Sequence, residues 1–352
     1  MLPQHLQHSQ LGLRRLLPLT PLLLKSFHIP KVRKKTYVPN YQGLFLKIGY
    51  FKTSIYIRFM KRPLFFLLPF LILALTSLGE PGHSTQQEAL TFLQDIKLPD
   101  SSIYWPNARS HLFMENLRFN VQNPLSMYQG SNTNFCGYAA LSYLPLNYDP
   151  LQYSKFMVTL YIEGHATWNN IKFSPSPEVM LAAGTLRFKG ILDIHPADQI
   201  WFLVLADHFR SYLNFFFRKY HAGSEDTFWA ACNLGKFNRI VTRLLGYKIR
   251  AIGSDLIRPG IKDLYTYLQK ALQSGTTFLY VNNTYLHVKN HEKSRFSFPT
   301  HYIVLTDIQI TEDFFTIIYW DYGGRTLRQV TPKFLKKILY GVTYTINNDN
   351  EE

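Results

Sequence analysis

Residues 129–145 read QGSNTNFCGYAALSYLP, and this stretch decides how we interpret the chain. Its first six residues are small or polar, which predicts a loop. The apolar run that follows predicts a helix that begins near Asn134 or Phe135 and ends before Pro145. Cys136 is therefore expected at a helix N-terminus, where the positive end of the helix dipole favours the nucleophilic thiolate.

A second stretch, residues 301–324, reads HYIVLTDIQITEDFFTIIYWDYGG. Its β-branched and aromatic residues predict two strands, Tyr302–Ile310 and Phe314–Trp320, joined by a tight turn. If these strands pair as an antiparallel hairpin, His301 before the first strand and Asp321 after the second lie at the same end. We therefore predict that these two side chains are within hydrogen-bonding distance of each other.

The two stretches together supply the groups that a cysteine nucleophile needs. The thiolate of Cys136 requires an imidazole to share its proton, and His301 is the candidate. A third group must orient that imidazole, and Asp321 is the candidate. The predicted catalytic residues are therefore Cys136, His301 and Asp321.

An oxyanion that forms on the attacked carbonyl needs N–H donors. The backbone N–H of Cys136 is one candidate, and the side-chain amide of Gln129, seven residues earlier, is the other. Asn132 and Asn134 lie in the same loop and offer the same amide group, so we keep Asn134 as a second candidate donor. All three amides also suit a role as loop caps.

Each site residue also has an ordinary structural interpretation. A lone cysteine before a helix is often a small buried residue. His301 also fits a strand-edge histidine that bonds a backbone carbonyl, and Asp321 also fits a hairpin turn before Gly323. Cys232 lies in an apolar segment and is expected in the core, although a disulfide between it and Cys136 would remove the nucleophile.

The remaining body separates into helices followed by strands. Residues 86–120 are expected to be a surface segment with one short helix. The predicted helices are Gln86–Ile96, Leu151–Glu163, Ala197–Phe217, Thr227–Leu245 and Ile261–Gln273, and the further strands are Thr277–Val281 and Thr326–Val330. This order predicts an α+β fold in which the nucleophile helix packs on a C-terminal antiparallel β-sheet.

The composition is that of a globular chain. The 352 residues are 46% hydrophobic and 17% charged, which is enough apolar material for a sizeable core. Only two cysteines are present, which excludes a disulfide-dense scaffold and every multi-cysteine zinc pattern. The histidines do not show metal-ligand spacing, so we expect no metal.

The net charge of +15 is concentrated at the N-terminus. Residues 1–79 contain 12 of the 38 Lys and Arg and no Asp or Glu, so residues 80–352 carry 26 basic against 23 acidic side chains. The body is therefore nearly neutral, and it contains no nucleic-acid-binding motif. We expect no nucleic-acid partner.

Residues 60–79 have the order of a secretory signal peptide. The sequence MKR at residues 60–62 is a basic start, and the apolar run at residues 64–75 is shorter than the ~20 residues of a spanning helix. Ser77 and Gly79 are small residues that suit cleavage. We expect a secreted or periplasmic protein, and a membrane-anchored form is the second choice.

This interpretation divides the chain into three segments. Residues 1–59 are either a basic tail or an upstream extension that is not made when synthesis starts at Met60. Residues 60–79 are the signal peptide, or a membrane tether through residues 64–78 if they are not cleaved. Residues 80–352 are expected to form one domain.

The order Gln129, Cys136, His301, Asp321 resembles that of the papain-like cysteine peptidase superfamily over about residues 125–330. The Asn-Phe-Cys-Gly-Tyr context of the cysteine is more similar to divergent bacterial members, which include peptidase and deamidase toxin-like domains. The resemblance implies a papain-like fold and a cysteine peptidase or amidase, a thiol hydrolase with a Cys-His-Asp triad. It also implies a protein or peptide substrate and no cofactor.

Two other functions stay open at this point. On the same fold, a glutamine deamidase or transglutaminase-like effector toxin would use the same triad, and such a protein would be paired with an inhibitor or immunity protein. A non-catalytic binding module is the other alternative, and in it Cys136 would be structural.

Overall fold

The computed structural model describes residues 82–186, 192–283, 286 and 298–346. The predictions for residues 1–59 and for the signal peptide or tether at residues 60–79 lie outside this part of the chain. Within the described ranges, no helix is long and apolar enough to cross a membrane.

The first half of the described chain is mainly helical. Its helices are α1 (Gln86–Asp95), α2 (Ser110–Gln122), α3 (Cys136–Tyr148), α4 (Pro150–Glu163), α5 (Pro177–Ala182), α6 (Pro196–His208) and α7 (Leu234–Arg239). Side chains cap several of them, because the side-chain oxygens of Thr85 and Asp149 accept first-turn N–H groups of α1 and α4. A short hairpin, β1 (Ala166–Trp168) and β2 (Ile171–Phe173), follows α4.

The second half forms an antiparallel sheet of six strands with two helices. Its elements are β3 (Ile249–Gly253), α8 (Leu264–Ser274), β4 (Thr277–Val281), β5 (His301–Ile310), β6 (Phe315–Asp321), β7 (Gly324–Val330), α9 (Pro332–Ile338) and β8 (Leu339–Thr345). The strand order is β3-β8-β4-β5-β6-β7, and every neighbouring pair is antiparallel. The expected α+β class is therefore confirmed.

Both faces of the central strands are buried, which explains their nearly continuous apolar sequences. Phe278 and Tyr280 of β4 belong to the core shared with the helices of the first half. Leu279 and Val281 point to the opposite face, where they pack with residues of α8 and α9. The sheet is thus a middle layer between two helical layers.

The predicted hairpin is confirmed to within one residue at each strand end. β5 and β6 pair in antiparallel register, with Val304 opposite Trp320. The connection is closed by reciprocal backbone hydrogen bonds between Thr311 and Phe314. Because the hairpin is tight, the start of β5 and the end of β6 lie side by side.

The predicted helix Ala197–Phe217 is too long. Helix α6 ends at His208, and Phe209 is already extended (φ −88°, ψ 122°). Beyond it, the side chain of Asn214 donates to the carbonyl of Trp229 at 3.0 Å. Such side-chain hydrogen bonds to distant backbone compete with a helical continuation.

The predicted helix Thr227–Leu245 begins later, at Leu234. The cause is Asn233, whose side chain accepts the N–H of Lys236 at 3.0 Å and caps the first turn of α7. The same helix then continues as a π-helix, Ile240–Leu244. The N-terminal part of the predicted span is a set of turns.

Prolines misled the helix predictions in two opposite ways. The segment 86–120 contains the start of a second helix, α2, because Pro106 and Pro124 both lie outside that helix. Helix α3 continues through Pro145 to Tyr148, since a proline near a helix C-terminus removes only one N–H donor. Strands β1, β2, β3 and β8 and helices α5 and α9 were not predicted.

Candidate active site

Cys136 is the first residue of α3, as its sequence context predicts. Phe135 precedes it with φ −85° and ψ 0°, and no side chain caps this helix end. The first N–H groups of the helix therefore lack a capping side chain, and they are oriented for an anion. The thiol is half-buried, and its Sγ lies 3.7 Å from the carbonyl oxygen of Thr300.

The structure brings His301 and Asp321 together at one end of the β5–β6 hairpin. Nε2 of His301 and Oδ2 of Asp321 are 3.3 Å apart. The contact is an ion pair rather than an aligned hydrogen bond, because no acceptor meets the N–H geometry at Nε2. Both side chains are buried, at 2% and 4% exposure, so water screens their interaction little.

The protonation of His301 is set by its neighbours. Burial by itself lowers the pKa of the imidazole, since it disfavours the charged form. The polar contacts with Asp321 and with Cys136 outweigh burial and raise the pKa to about 9. His301 is therefore a cation at neutral pH, placed between a carboxylate and a thiol.

Tyr322 covers the imidazole. Its ring stacks on His301 with centroids 4.6 Å apart and an interplanar angle of 12°. It occupies the left-handed region (φ 47°) in a two-residue turn with Gly323 (φ 74°), which suits a type I′ hairpin but is unfavourable for tyrosine. Its hydroxyl accepts Nδ2–H of Asn283 at 2.9 Å, and this bond helps to hold the strained position.

Gly137 allows close packing behind the nucleophile. A Cβ at this position would lie 2.7 Å from Cβ and 3.1 Å from Sγ of Cys232. Cys232 is buried as expected, and both cysteines are free. The residue after Cys136 therefore has to be a glycine for α3 to approach the segment that carries the second thiol.

Gln129 is buried in the loop before α3. Its carbonyl accepts the hydroxyl of Thr133 at 2.6 Å, and the Thr133 oxygen accepts the N–H of Phe135 at 3.3 Å. Its side-chain Oε1 has no hydrogen-bond partner, although the residue is only 2% exposed. This oxygen can only accept hydrogen bonds. An oxyanion would need the Nε2 hydrogens of the same amide, for which the described residues form no hydrogen bond.

Asn134 has a different role. Its Nδ2 donates to the carbonyls of Asp226 and Thr227, both at 2.9 Å, and its backbone N–H donates to Glu225 at 2.7 Å. Both amide hydrogens are used in anchoring the loop, which leaves neither for an oxyanion. We therefore retain Gln129, and not Asn134, as the side-chain donor of the candidate site.

Two residues of the site were missed by the sequence reading. Thr300 contributes only a backbone carbonyl, which no sequence pattern marks. Tyr322 lies between Asp321 and Gly323 in the predicted hairpin turn, but its stacking on His301 depends on a backbone conformation that tyrosine rarely adopts. The Asp321-Tyr322-Gly323 sequence, with glycine after an aromatic residue at a hairpin end, was the available signal.

The arrangement brings together the groups that thiol chemistry requires. Cys136 supplies a thiol, His301 a proton donor and acceptor, and Asp321 a carboxylate that holds the imidazole. In the described part of the chain, no group of three or more His, Cys, Asp and Glu side chains could hold a metal ion.

Comparisons with known proteins add no family to this description. No protein-family model matches the chain, and neither a curated protein nor a solved structure shows significant similarity to it.

Proposed function

We propose that the protein is a thiol hydrolase that cleaves peptide or amide bonds through Cys136, His301 and Asp321. The observation that carries this proposal is the pairing of a half-buried thiol at an uncapped helix N-terminus with a buried histidine of raised pKa. A cationic imidazole beside a thiol favours the thiolate–imidazolium pair, which is the reactive state of cysteine hydrolases.

The proposed mechanism has two half-reactions. Sγ of Cys136 attacks the carbonyl carbon, a C–S bond forms, and the carbonyl electron pair moves onto the oxygen. The oxyanion is stabilised by the backbone N–H of Cys136 and by the amide of Gln129. As the C–N bond breaks, His301 gives its proton to the departing amine. The acyl group stays bonded to Sγ of Cys136 as a thioester.

Hydrolysis of the thioester reverses these roles. The neutral imidazole of His301 takes a proton from water, and the resulting hydroxide attacks the thioester carbon. The C–S bond breaks, the carboxylic acid leaves, and the thiolate–imidazolium pair returns. Because Nε2 of His301 lies on the Asp321 side, Nδ1 is the ring nitrogen left for Cys136 and the substrate.

We also propose that the fold is papain-like. The order of the four site residues along the chain supports this assignment, as does the packing of α3, which begins with the nucleophile, against β5, which begins with the histidine. Export, which the signal-peptide pattern of residues 60–79 predicts, and the absence of a cofactor are parts of the same proposal. Intact mass of the mature chain tests the export, since cleavage of the predicted signal peptide leaves a chain that begins near Glu80.

A cluster of exposed aromatic rings supports a peptide substrate. Phe215, Phe216, Phe217 and Phe228 are between 41% and 87% exposed, and the rings of Phe217 and Phe228 are 6.0 Å apart. This aromatic surface adjoins the nucleophile loop, because Asn134 bonds the carbonyl before Phe228. Exposed apolar surface of this kind is typical of a binding site, here for apolar side chains of a peptide.

Mass spectrometry of a complex peptide mixture tests the proposal. We expect new peptide termini after incubation with the protein, and none with Cys136→Ser or His301→Ala. The Cys232→Ala variant is the matched control, and it should give the same products as the wild type. Conversion of glutamine to glutamate without backbone cleavage would contradict hydrolysis of peptide bonds, and an absence of any Cys136-dependent product would contradict thiol chemistry.

A further inference from the structure

A cavity of about 570 Å³ opens between the β1–β2 turn, the end of α6 and the π-helix. Its polar lining is basic: Arg210, Arg239 and Arg243 contribute three guanidinium groups, and His208 and Asn170 face the same space. No aspartate or glutamate lines it. The volume lies in the range of ~300–1,000 Å³ that is usual for small-molecule sites.

The positive charge of this cavity is only partly balanced by the protein. Nη2 of Arg210 lies 2.9 Å from Oδ1 of Asp207, and the other oxygen of Asp207 accepts the N–H of Ser176 at 2.8 Å. Among the described residues, no carboxylate pairs with Arg239 or Arg243. Nη2 of Arg239 donates to the backbone carbonyl of Arg210, a neutral group that leaves the charge unbalanced. The guanidinium charges of Arg239 and Arg243 therefore remain for a ligand.

The walls of the cavity are held by specific backbone structure. Asn169 and Asn170 form the β1–β2 turn with φ of 45° and 64°, and Nδ2 of Asn169 donates to the carbonyl of Leu244 at 2.8 Å. This bond joins the turn to the last residue of the π-helix, Ile240–Leu244, which contributes Arg243. Single π-turns inside helices are common at functional sites.

We propose that this cavity binds a multiply charged oxyanion, namely the phosphate or carboxylate groups of a small ligand. Guanidinium groups match the planar geometry of both groups and form charge-assisted hydrogen bonds with them. Arg243 and Arg239 supply the unbalanced charge, and the amide of Asn170 supplies a neutral donor. The proposal is independent of the thiol chemistry at Cys136.

Isothermal titration calorimetry of the full chain with pyrophosphate and, separately, with citrate tests this site. Arg243→Gln removes one charge, and Asn170→Asp adds a carboxylate to the wall at a position whose backbone aspartate tolerates. Each change should weaken binding about tenfold or more, the loss expected for a hydrogen bond to a charged group. Arg250→Gln is the matched control, because Arg250 is an exposed arginine on β3, and it should change binding less than about twofold.

The two probes distinguish the source of the oxyanion. Binding of pyrophosphate alone assigns the site to phosphates, and binding of citrate alone assigns it to carboxylates. Binding of neither probe at millimolar concentration would overturn the proposal, and so would equal weakening by Arg250→Gln and Arg243→Gln. Thermal unfolding without ligand shows whether each variant is folded. If Arg243→Gln is not folded, the binding measured with Asn170→Asp still tests the proposal.

Discussion

The two cysteines of this chain lie close together and differ in almost every other respect. Cys136 is half-buried at a helix N-terminus and contacts the cation of His301. Cys232 is buried, and burial raises its pKa to about 12 although Lys236 acts in the opposite direction. The difference teaches that a thiol becomes a nucleophile through its neighbours and its access to solvent, since the residue type is the same.

The largest expected difference in activity is between a mutation of Cys136 and a mutation of Cys232. Cys136→Ser should lower peptide hydrolysis by about 10³-fold or more, because the nucleophile of a catalytic triad accounts for most of the chemical step. Cys232→Ala should leave kcat/KM within a few-fold of the wild type. Equal losses in the two variants, measured as kcat/KM on one peptide found in the product analysis, would place the chemistry elsewhere.

The carboxylate of Asp321 should help to keep the pKa of His301 raised beside Cys136. Without this carboxylate, burial lowers the pKa of His301 from about 9, so the imidazolium is lost at a lower pH. Asp321→Asn should reduce kcat/KM by about 10²-fold at neutral pH and move the alkaline limb of its pH profile to lower pH. Asp307→Asn removes a partly buried carboxylate from the middle of β5 as the control, and an unchanged alkaline limb in Asp321→Asn would contradict the proposed role.

The raised pKa of His301 beside Cys136 should also make the free energy of unfolding depend on pH. His301 has a folded pKa of about 9 against 6.5 for the free side chain, so its stabilising contribution is complete below pH 6.5. That contribution disappears as pH rises through about 9, because only the folded chain holds the proton in this window. In the wild type, the proposed thiolate–imidazolium pair holds one proton that the unfolded chain holds on the thiol instead, so the contribution of His301 has to be measured in Cys136→Ala. Urea unfolding of that variant between pH 6 and pH 9 should show a loss on the order of 1 kcal/mol or more, and adding His301→Asn should flatten the profile.

The contact between the two regions can be tested through Gly137. A Cβ here would meet Cβ of Cys232 at 2.7 Å, so Gly137→Ala should reduce the free energy of unfolding by about 1–3 kcal/mol. Cys232→Gly in the same chain should restore part of this loss, which a double-mutant cycle measures. Gly235→Ala is the control, because nothing lies within 4 Å of a Cβ at that helical position. Equal costs for the two alanines would argue against the close approach.

The sequence predicted the parts of the molecule that local patterns determine. The loop-to-helix transition at Cys136 and the β5–β6 hairpin follow from composition and periodicity, and together they place His301 beside Asp321. The start of α7 had a local signal that was not used, since Asn233 caps the helix through the N–H three residues later. The break after α6 was not predictable in the same way, because the bond from Asn214 to the carbonyl of Trp229 exists only in the folded chain. The π-helix and the cavity it lines gave no local signal.

The side-chain donor for the oxyanion could not be chosen from the sequence either. Gln129 and Asn134 offer the same amide in the same loop, and the sequence could not separate them. The structure argues against Asn134, because its amide hydrogens are bonded to two carbonyls of residues about 90 positions away in the chain. Within the described residues, the amide nitrogen of Gln129 makes no such bond.

The most direct test of the central claim is the rate of iodoacetamide alkylation at the two thiols of the folded protein at neutral pH, followed by peptide mass spectrometry. Cys136 should be labelled at least about 10²-fold faster than Cys232, and His301→Ala should remove most of that advantage. Equally slow labelling of both thiols, or fast labelling of Cys136 that does not depend on His301, would contradict the account.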